Sequence, residues 1–126
     1  MIKIKNNSKI TVESLVKLSS IFNFDNIDIT YFENILEFYC NKKILAMINY
    51  CFIPTIDGNM RLFIRNLYYI DKNDLDKIIK ALCEYCKKNK LSIKTTLYNN
   101  KFDNDCIKIL YDNNFKGGND VLYYIL

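Results

Sequence analysis

The chemistry open to this chain is limited by the absence of histidine among its 126 residues. Without an imidazole, the chain cannot form a Ser-His-Asp triad, a Cys-His pair or a metal site with histidine ligands. Any proton transfer must therefore use a carboxylate, a tyrosine, a lysine, a cysteine or water. We predict that the protein uses no metal.

Five cysteines are present, and two of them, Cys83 and Cys86, form a C-x-x-C. A redox-active C-x-x-C lies at a helix N-terminus, where the helix dipole lowers the thiol pKa. This pair falls in the second half of a predicted helix, so we interpret Cys86 as a core residue and Cys83 as its flank. Cys51 fits a small buried hydrophobe, with a cleft-facing nucleophile as the alternative. Five cysteines without a recognisable secretory signal favour a reducing compartment, and the odd count fits poorly with a closed disulfide framework, so we expect a cytoplasmic location.

Three polar residues in a strand-rich segment could act on a substrate. Glu37 is a candidate general base, although we favour a solvated side chain on the outer face of a sheet. Arg65 could hold a substrate carboxylate, or it could lie along the sheet surface. Asn66 interrupts an apolar strand and needs a hydrogen-bond partner if it is buried, which indicates a cleft nearby.

The elements that position these residues follow from the spacing of apolar side chains. A short strand at Ile2 to Lys5 precedes a helix from Val12 to Phe22, which Thr11 can cap. Residues 24–34 fit a loop with a short second helix. The apolar face of the first helix is predicted to comprise Val12, Leu15, Val16 and Phe22, widened by Leu18 and Ile21.

Three strands come next and form an antiparallel meander. They are predicted at Ile35 to Cys40, Ile44 to Ile53 and Met60 to Ile70, with turns at 41–43 and 54–59. In the first of them Leu36 and Phe38 share one face, and Glu37 and Tyr39 share the other.

A clear helical stripe predicts a helix from Asp74 to Asn89, with Asn73 as its N-cap and Asn89 as a left-handed stop. A strand from Leu91 to Tyr98 follows this helical crossover and should therefore run parallel to the preceding strand. The stripe consists of Leu75, Ile78, Ile79, Leu82, Tyr85 and Cys86.

The chain is predicted to end with a short helix, a turn and a last strand. The helix runs from Asp105 to Asp112 with Asn104 as its cap, the turn covers 116–119, and the strand runs from Val121 to Leu126. Together the elements predict a single α/β domain over residues 1–126 with a mixed sheet.

The net charge of +4 comes almost entirely from lysine, because Arg61 and Arg65 are the only arginines. Nucleic-acid readers rely on arginine for bidentate contacts, so the charge argues for no more than weak contact with a polyanion. The longest apolar run, 44–53, is about half of the ~20 residues that span a bilayer. We therefore expect neither a nucleic-acid nor a membrane partner.

The order of elements resembles the GCN5-related N-acetyltransferase (GNAT) superfamily over roughly residues 35–126. The most specific local match is 104–115, which reads NDCIKILYDNNF. GNAT proteins often carry N-x-x-A-x-x-x-Y-x-x-x-G-F on a short helix after their fifth strand. Here Asn114 replaces the glycine, and asparagine also tolerates a positive φ at a helix end. The resemblance implies an antiparallel meander, a parallel β-α-β crossover and helices on both faces of the sheet.

The resemblance also implies functional residues. Tyr111 aligns with the tyrosine that protonates the departing CoA thiolate, with packing beside Ile107 and Leu110 as the alternative. Arg65 and Asn66 fall where substrate and cofactor grooves meet in this family. Residues implied to contact acetyl-CoA are Leu67, Tyr68, Tyr69, Lys72, Asn73 and Asn104.

The chain departs from the family between the fourth strand and the next helix. GNAT enzymes place [RQ]-x-x-G-x-[GA] there, so that backbone N–H groups can approach the cofactor pyrophosphate. This chain has no glycine in 70–76, and it carries Asp71, Asp74 and Asp76 with only Lys72 as a counterweight. Carboxylates at a helix start occupy its N–H groups and repel an incoming anion.

Two functions remain open from the sequence. The first is an acyl-CoA-dependent N-acyltransferase that uses acetyl-CoA and acts on an amine-bearing small molecule or protein by direct attack. The second is an inactive GNAT-like module that binds a protein partner. Tyrosine-rich strands that include Tyr68, Tyr69, Tyr123 and Tyr124 could line a groove or a homodimer interface.

Overall fold

The computed structural model describes residues 1–8, 11–22, 34–56, 58, 60–96, 103–118 and 121–124. Its strands and helices follow the predicted order closely. They are β1 Lys3–Asn7, α1 Val12–Phe22, β2 Asn34–Cys40, β3 Lys43–Pro54, β4 Met60–Tyr69, α2 Leu75–Lys88, β5 Ser92–Thr96, α3 Asn104–Asp112, β6 Lys116–Gly118 and β7 Val121–Tyr124.

The strands of the described ranges join one seven-stranded sheet in the order β1-β2-β3-β4-β5-β7-β6. The strands β1 to β4 pair antiparallel with one another in chain order. β4 and β5 pair parallel across the α2 crossover, and β7 pairs antiparallel with both β5 and β6. The predicted α/β class, with a meander followed by a parallel crossover, is confirmed.

The larger core lies between the sheet and the two helices α2 and α3. Sheet residues such as Leu36, Phe38 and Ile48 are fully buried there. The predicted stripe of α2 is confirmed for Leu75, Ile78, Ile79, Leu82 and Cys86, which are buried, and Tyr85 is half-buried.

The opposite face of the sheet is covered by α1, so helices lie on both faces. Leu15 and Leu18 pack there against Ile35 and Met47. The predicted apolar face of α1 is partly wrong, because Val12 and Val16 are 67% and 64% exposed. Successive helix residues are rotated by about 100°, so a face centred on Leu15 and Leu18 turns the two valines outward.

Two predicted N-caps are displaced along the chain. Asp71, not Asn73, caps the turn before α2, because a 3-10 turn at Lys72–Asp74 precedes the helix and Asp71 Oδ1 accepts the Asn73 N–H at 2.9 Å. Asn104 is the first residue of α3, and Asp103 caps it by accepting the Cys106 N–H at 2.8 Å. Thr11 does cap α1, through the Ser14 N–H at 3.1 Å.

The end of α2 also differs from the prediction. Asn89 has φ −96°, and the left-handed residue is Lys90 with φ 57°. The N–H of Leu91 bonds the Cys86 carbonyl at 2.8 Å, and the N–H of Lys90 bonds Lys87 at 3.2 Å. These two bonds form a Schellman motif, which fixes the left-handed position one residue later than the asparagine.

The turns agree only in part. Asn41 and Lys42 have φ of 50° and 67°, which makes a two-residue hairpin turn, and Lys43 already belongs to β3. The predicted turn at 116–119 is wrong at its start, because Lys116–Gly118 forms β6. The predictions for 24–33, Asp57, Asn59, 97–98, Asn119 and 125–126 lie outside the described residues.

No helix in the described ranges combines the length and the apolar character needed to cross a bilayer.

Candidate functional site

The strand β4 carries a β-bulge at Arg65. Asn49 of β3 pairs with Asn66 and Tyr50 pairs with Ile64, so Arg65 is the extra residue between the two pairs. The described parallel ladder with β5 also ends here, at the pair Ile64–Thr95, whereas β4 continues to Tyr69. A bulge bends a strand and increases its twist, so residues 65–69 run past the described part of β5.

Beside the bulge, two asparagines pair across the strands. Asn49 Nδ2 donates to Asn66 Oδ1 at 3.2 Å. Asn49 is fully buried, and its Oδ1 finds no partner among the described residues. Asn66 was expected to need a partner if it is buried; it is half-buried and has one. Asn49 is a polar residue of this region that the sequence reasoning missed. Its only signal was a single amide within an apolar strand.

Glu37 is buried on the face that α1 covers, with only 7% of its surface exposed. The expectation of a solvated side chain is therefore wrong, because the sheet has no outer face at this position. Glu37 Oε1 accepts the Tyr39 hydroxyl at 3.1 Å. Glu37 pairs with Met47 and Met47 pairs with Tyr68, which places Glu37 two strands, or roughly 10 Å, from β4. Its role as a base stays a prediction.

A charged cluster joins the start of α2 to the start of α3. Lys72 Nζ lies 2.7 Å from Asp103 Oδ2 and 3.2 Å from Asp105 Oδ2. These carboxylates raise the pKa of Lys72, and the Lys72 ammonium together with the Cys106 N–H holds the pKa of Asp103 well below its usual range. We call Lys72, Asp103 and Asp105 the Lys72 cluster.

The end of β4 reaches the same place through Tyr69. Its hydroxyl lies 3.3 Å from Cys106 Sγ, one turn into α3. The hydrogen bond with Cys106 and burial raise the pKa of Tyr69 to about 12. The phenol therefore stays protonated at neutral pH and ties the last residue of β4 to α3.

Tyr111 lies near the other end of α3 and is 46% exposed. Its hydroxyl donates to the Gly117 carbonyl at 3.3 Å. The alternative of core packing beside Ile107 and Leu110 is wrong, because Leu110 points into the core while Tyr111 does not. The side chain is thus partly open to solvent, and its hydroxyl proton is engaged by the Gly117 carbonyl.

Comparison with known proteins gave matches only at the level of structure. No protein-family model matches the sequence, and no curated protein matches it. The solved structure of an N-acetyltransferase from Staphylococcus aureus Mu50 is 18% identical, with a TM-score of 0.63 over 99% of this chain and 97% of that chain. Arabidopsis thaliana Naa50, in complex with a bisubstrate analogue, is 15% identical, with a TM-score of 0.62 over 95% of both chains.

A third structure is the Bacillus subtilis N-acetyltransferase YlbP in complex with coenzyme A. It is 15% identical, with a TM-score of 0.60 over 100% of this chain and 97% of that chain. This chain has the GNAT fold. The predicted resemblance to GNAT proteins is confirmed at the level of the fold, and the match to the Staphylococcus aureus structure covers more of the chain than the predicted 35–126.

The segment that resembles the GNAT helix motif ends with a left-handed residue. Asn114 has φ 69°, as predicted for a residue that replaces glycine. The Phe115 N–H bonds the Leu110 carbonyl at 3.0 Å and the Asn114 N–H bonds Tyr111 at 3.1 Å, which closes α3 with a second Schellman motif. Phe115 itself is 1% exposed.

The residues predicted to contact a cofactor fall into two groups. Tyr69, Lys72, Asn73 and Asn104 lie where β4, α2 and α3 meet, around the Lys72 cluster. Leu67 and Tyr68 point to opposite faces of β4, toward the α2 core and toward α1. The sequence reasoning missed Asp103 and Asp105, although an aspartate before a helix is as good a cap signal as an asparagine.

The cysteines are outside this site with the exception of Cys106. Burial raises the pKa of Cys83 and of Cys86 to about 12, so neither thiol is a nucleophile at neutral pH. The interpretation of Cys86 as core and Cys83 as its flank is confirmed, whereas Cys51 is only half-buried.

In the described ranges, no three His, Cys, Asp or Glu side chains converge as metal ligands.

The depressed pKa of Asp103 predicts an acid-sensitive contribution to stability. Because its folded pKa lies below its unfolded value of about 3.9, its contribution is present above about pH 4 and is lost as the pH falls through the folded pKa. Asp103→Asn is therefore expected to lower the urea midpoint of unfolding at neutral pH. As the pH is lowered into the acid range, the midpoint of the variant should fall less than that of the wild type. Asp112→Asn, an exposed change on the same helix, is the control. Parallel acid profiles for Asp103→Asn and wild type would contradict this assignment.

Proposed function

We propose that this protein is an acyl-CoA-dependent N-acyltransferase that transfers an acetyl group to an amine by direct attack. The observation that carries the proposal is the bulge at Arg65, where β4 runs past the described β5 ladder. It stands in a GNAT fold shared with acetyltransferases, one of which was solved with coenzyme A and another with a CoA bisubstrate analogue.

The thioester end of the cofactor fits the chain well. Acetyl-CoA, when bound, supplies the acyl thioester. Residues 66–69 pair with β3, and N–H groups alternate in direction along a strand. Those that point away from β3 are of the kind that stabilise a developing oxyanion. Asn66 lies beside the bulge on the α1 face, where its amide can orient an acceptor amine, and Arg65 can hold an acceptor carboxylate.

Tyr111 is assigned to the leaving group. In the transfer the acceptor nitrogen forms the new C–N bond and the C–S bond breaks. The Tyr111 hydroxyl gives its proton to the departing thiolate, and the acceptor nitrogen loses its proton to water. Glu37 is given no step in this transfer, because general bases act within about 3 Å of the proton they take. It lies two strands, or roughly 10 Å, from β4.

The phosphate end fits less well, and this supports weak cofactor affinity. Asp71 Oδ1 already accepts the Asn73 N–H, and Asp76 is paired with Lys80 and with Asn113. Lys72, which precedes α2, is held by Asp103 and Asp105. A diphosphate would have to displace these carboxylates from the Lys72 ammonium.

Calorimetric titration with acetyl-CoA tests the proposal directly. We expect weak binding to the wild type and tighter binding to Asp103→Asn/Asp105→Asn, because the change frees Lys72 and removes two negative charges. The gain should be about fivefold or more at low ionic strength, since one charge at about 4 Å is worth ~1 kcal/mol in water. It should shrink as salt is added.

The matched control is Glu13→Gln/Glu84→Gln, which makes the same change in net charge at exposed positions of α1 and α2. Equal gains in both double variants would indicate a general charge effect. Absence of binding in every variant would reject the acyltransferase. Binding without transfer to any amine in a panel of amino acids, polyamines and peptides would favour a module that binds a protein partner instead.

A further inference from the structure

A cavity lies on the opposite side of the sheet from α2, between α1 and the strands β1 and β2. Its volume is about 340 Å³. It is remote from the Lys72 cluster and from Tyr111, and nothing in the proposed transfer reaction uses it. The side chains that give it chemical character are Lys5, Lys17, Glu37, Tyr39 and Lys42.

The inner wall of this cavity contains a buried carboxylate with unused hydrogen-bonding capacity. Glu37 is 7% exposed, and its Oε2 accepts no hydrogen bond from the described residues. Its Oε1 is oriented by the Tyr39 hydroxyl. Burial and the charge of Glu37 raise the pKa of Tyr39, so the phenol remains a donor at neutral pH. A buried carboxylate is costly unless it is paired, which makes a cationic ligand group favourable here.

The rim of the cavity carries the opposite charge. Lys5, Lys17 and Lys42 are all exposed and line the opening from β1, α1 and the β2–β3 turn. None of them joins the ion pairs formed in the described part of the chain, which involve Lys72 and Lys80. A ligand therefore meets three cations outside and one anion inside.

We propose that this cavity binds an acidic α-amino acid, that is, a molecule with one ammonium and two carboxylate groups. The ammonium donates to the Glu37 carboxylate, and the carboxylates accept from the lysines of the rim. A simple dicarboxylate leaves Glu37 unpaired, and a diamine places a cation among the lysines. Because the carboxylate lies inside the cavity and the lysines lie at its rim, the site favours a ligand that carries an ammonium group and carboxylate groups.

This binding site is independent of the proposed acyl transfer. A ligand held in this way keeps its nitrogen on β2, roughly 10 Å across the sheet from β4, so it is not presented as an acceptor. The cavity is therefore a site for a second ligand. Loss of amino-acid binding and loss of acetyl-CoA binding are separable results.

The test is calorimetric titration of the full chain at neutral pH and low salt with three probes. L-Glutamate carries both charges, glutarate lacks the ammonium and cadaverine lacks the carboxylates. We expect L-glutamate to bind at least about tenfold more tightly than either of the others, because each of them lacks one of the charge-assisted hydrogen bonds that L-glutamate can form.

Variants separate the two halves of the recognition. Glu37→Gln should weaken L-glutamate about tenfold and leave glutarate unchanged, because only the ammonium contact depends on the carboxylate charge. Lys17→Met should weaken both L-glutamate and glutarate. Lys108→Met, an exposed lysine on α3, should change neither. Acetyl-CoA titrated into Glu37→Gln should bind as it does to wild type.

Three outcomes would overturn the site. Equal binding of glutarate and L-glutamate would show that the lysines of the rim alone account for binding. Preference for cadaverine would reduce it to the buried carboxylate alone, and no measurable binding of L-glutamate would remove it. If circular dichroism shows that Glu37→Gln fails to fold, the three probes on the wild type and the Lys17→Met variant still test the site. Lys17 is exposed, so its substitution should preserve folding.

Discussion

Replacing Tyr111 by phenylalanine is expected to lower the rate of acetyl transfer by about 10²- to 10⁴-fold, the range typical of a positioned general acid. The change removes one hydroxyl from a side chain that is 46% exposed, so folding should be preserved. The hydrogen bond lost in the folded protein is a long one, at 3.3 Å to the Gly117 carbonyl. The effect should therefore fall on the chemical step and spare the stability of α3.

The measurement is the steady-state release of CoA with the best amine acceptor, together with acetyl-CoA titration. We expect kcat to fall in Tyr111→Phe while the affinity for acetyl-CoA stays within about twofold, because a leaving-group acid acts in the transition state. Tyr85→Phe on α2 removes the same atom from a half-buried tyrosine and serves as the control. Similar rates in both variants would mean that water, and not Tyr111, protonates the departing thiolate.

The sequence predicted the order of elements well because apolar periodicity averages over many residues. The caps and the left-handed positions each depend on a single residue, so their prediction gained nothing from averaging. The caps at Asp71 and Asp103 are each near the predicted asparagine, since both residue types accept a helix N–H and the choice rests on one hydrogen bond. Lys90 takes the left-handed position, although asparagine was the better local candidate, because the Schellman bonds of α2 fix where the helix ends.

The candidate site was predictable only in its outline. Arg65 and Asn66 were selected through the GNAT resemblance, but the bulge that sets them apart depends on the register with β3 and has no sequence signal. The burial of Glu37 depends on α1 covering the sheet, which is a contact between distant parts of the chain. The pairing of Lys72 with Asp103 is likewise set by the packing of α3 beside α2.

These long-range features divide the molecule into two chemically different faces. On the α2 side, Tyr69 and the Lys72 cluster join three elements around the proposed cofactor site. On the α1 side, Glu37 and Asn49 each bring a buried oxygen that no described residue pairs. Buried polar groups without partners are rare in native proteins and mark places where a ligand can contribute the missing bond. The α1 face is thus as strong a candidate for recognition as the face that the fold resemblance indicates.

The largest effect on stability is expected for Phe115→Ala, at about 3–5 kcal/mol. Phe115 is 1% exposed and belongs to the core between the sheet and α2, and its ring centre lies 5.6 Å from that of Tyr124 in a tilted contact. It follows Asn114 directly, so its burial anchors the end of α3 and with it the position of Tyr111. Since small proteins are stable by only about 5–15 kcal/mol, the variant should be close to unfolding at room temperature.

Urea unfolding followed by circular dichroism measures this loss, and Phe52→Ala provides the matched control. Phe52 is 45% exposed and contacts the Tyr50 ring at 5.4 Å, so the same truncation there should cost about 1 kcal/mol or less. A small loss for Phe115→Ala would mean that the end of α3 is not anchored in the core. The GNAT motif would then position Tyr111 through Asn114 alone, and Asn114→Val, which opposes the positive φ, would become the more damaging change.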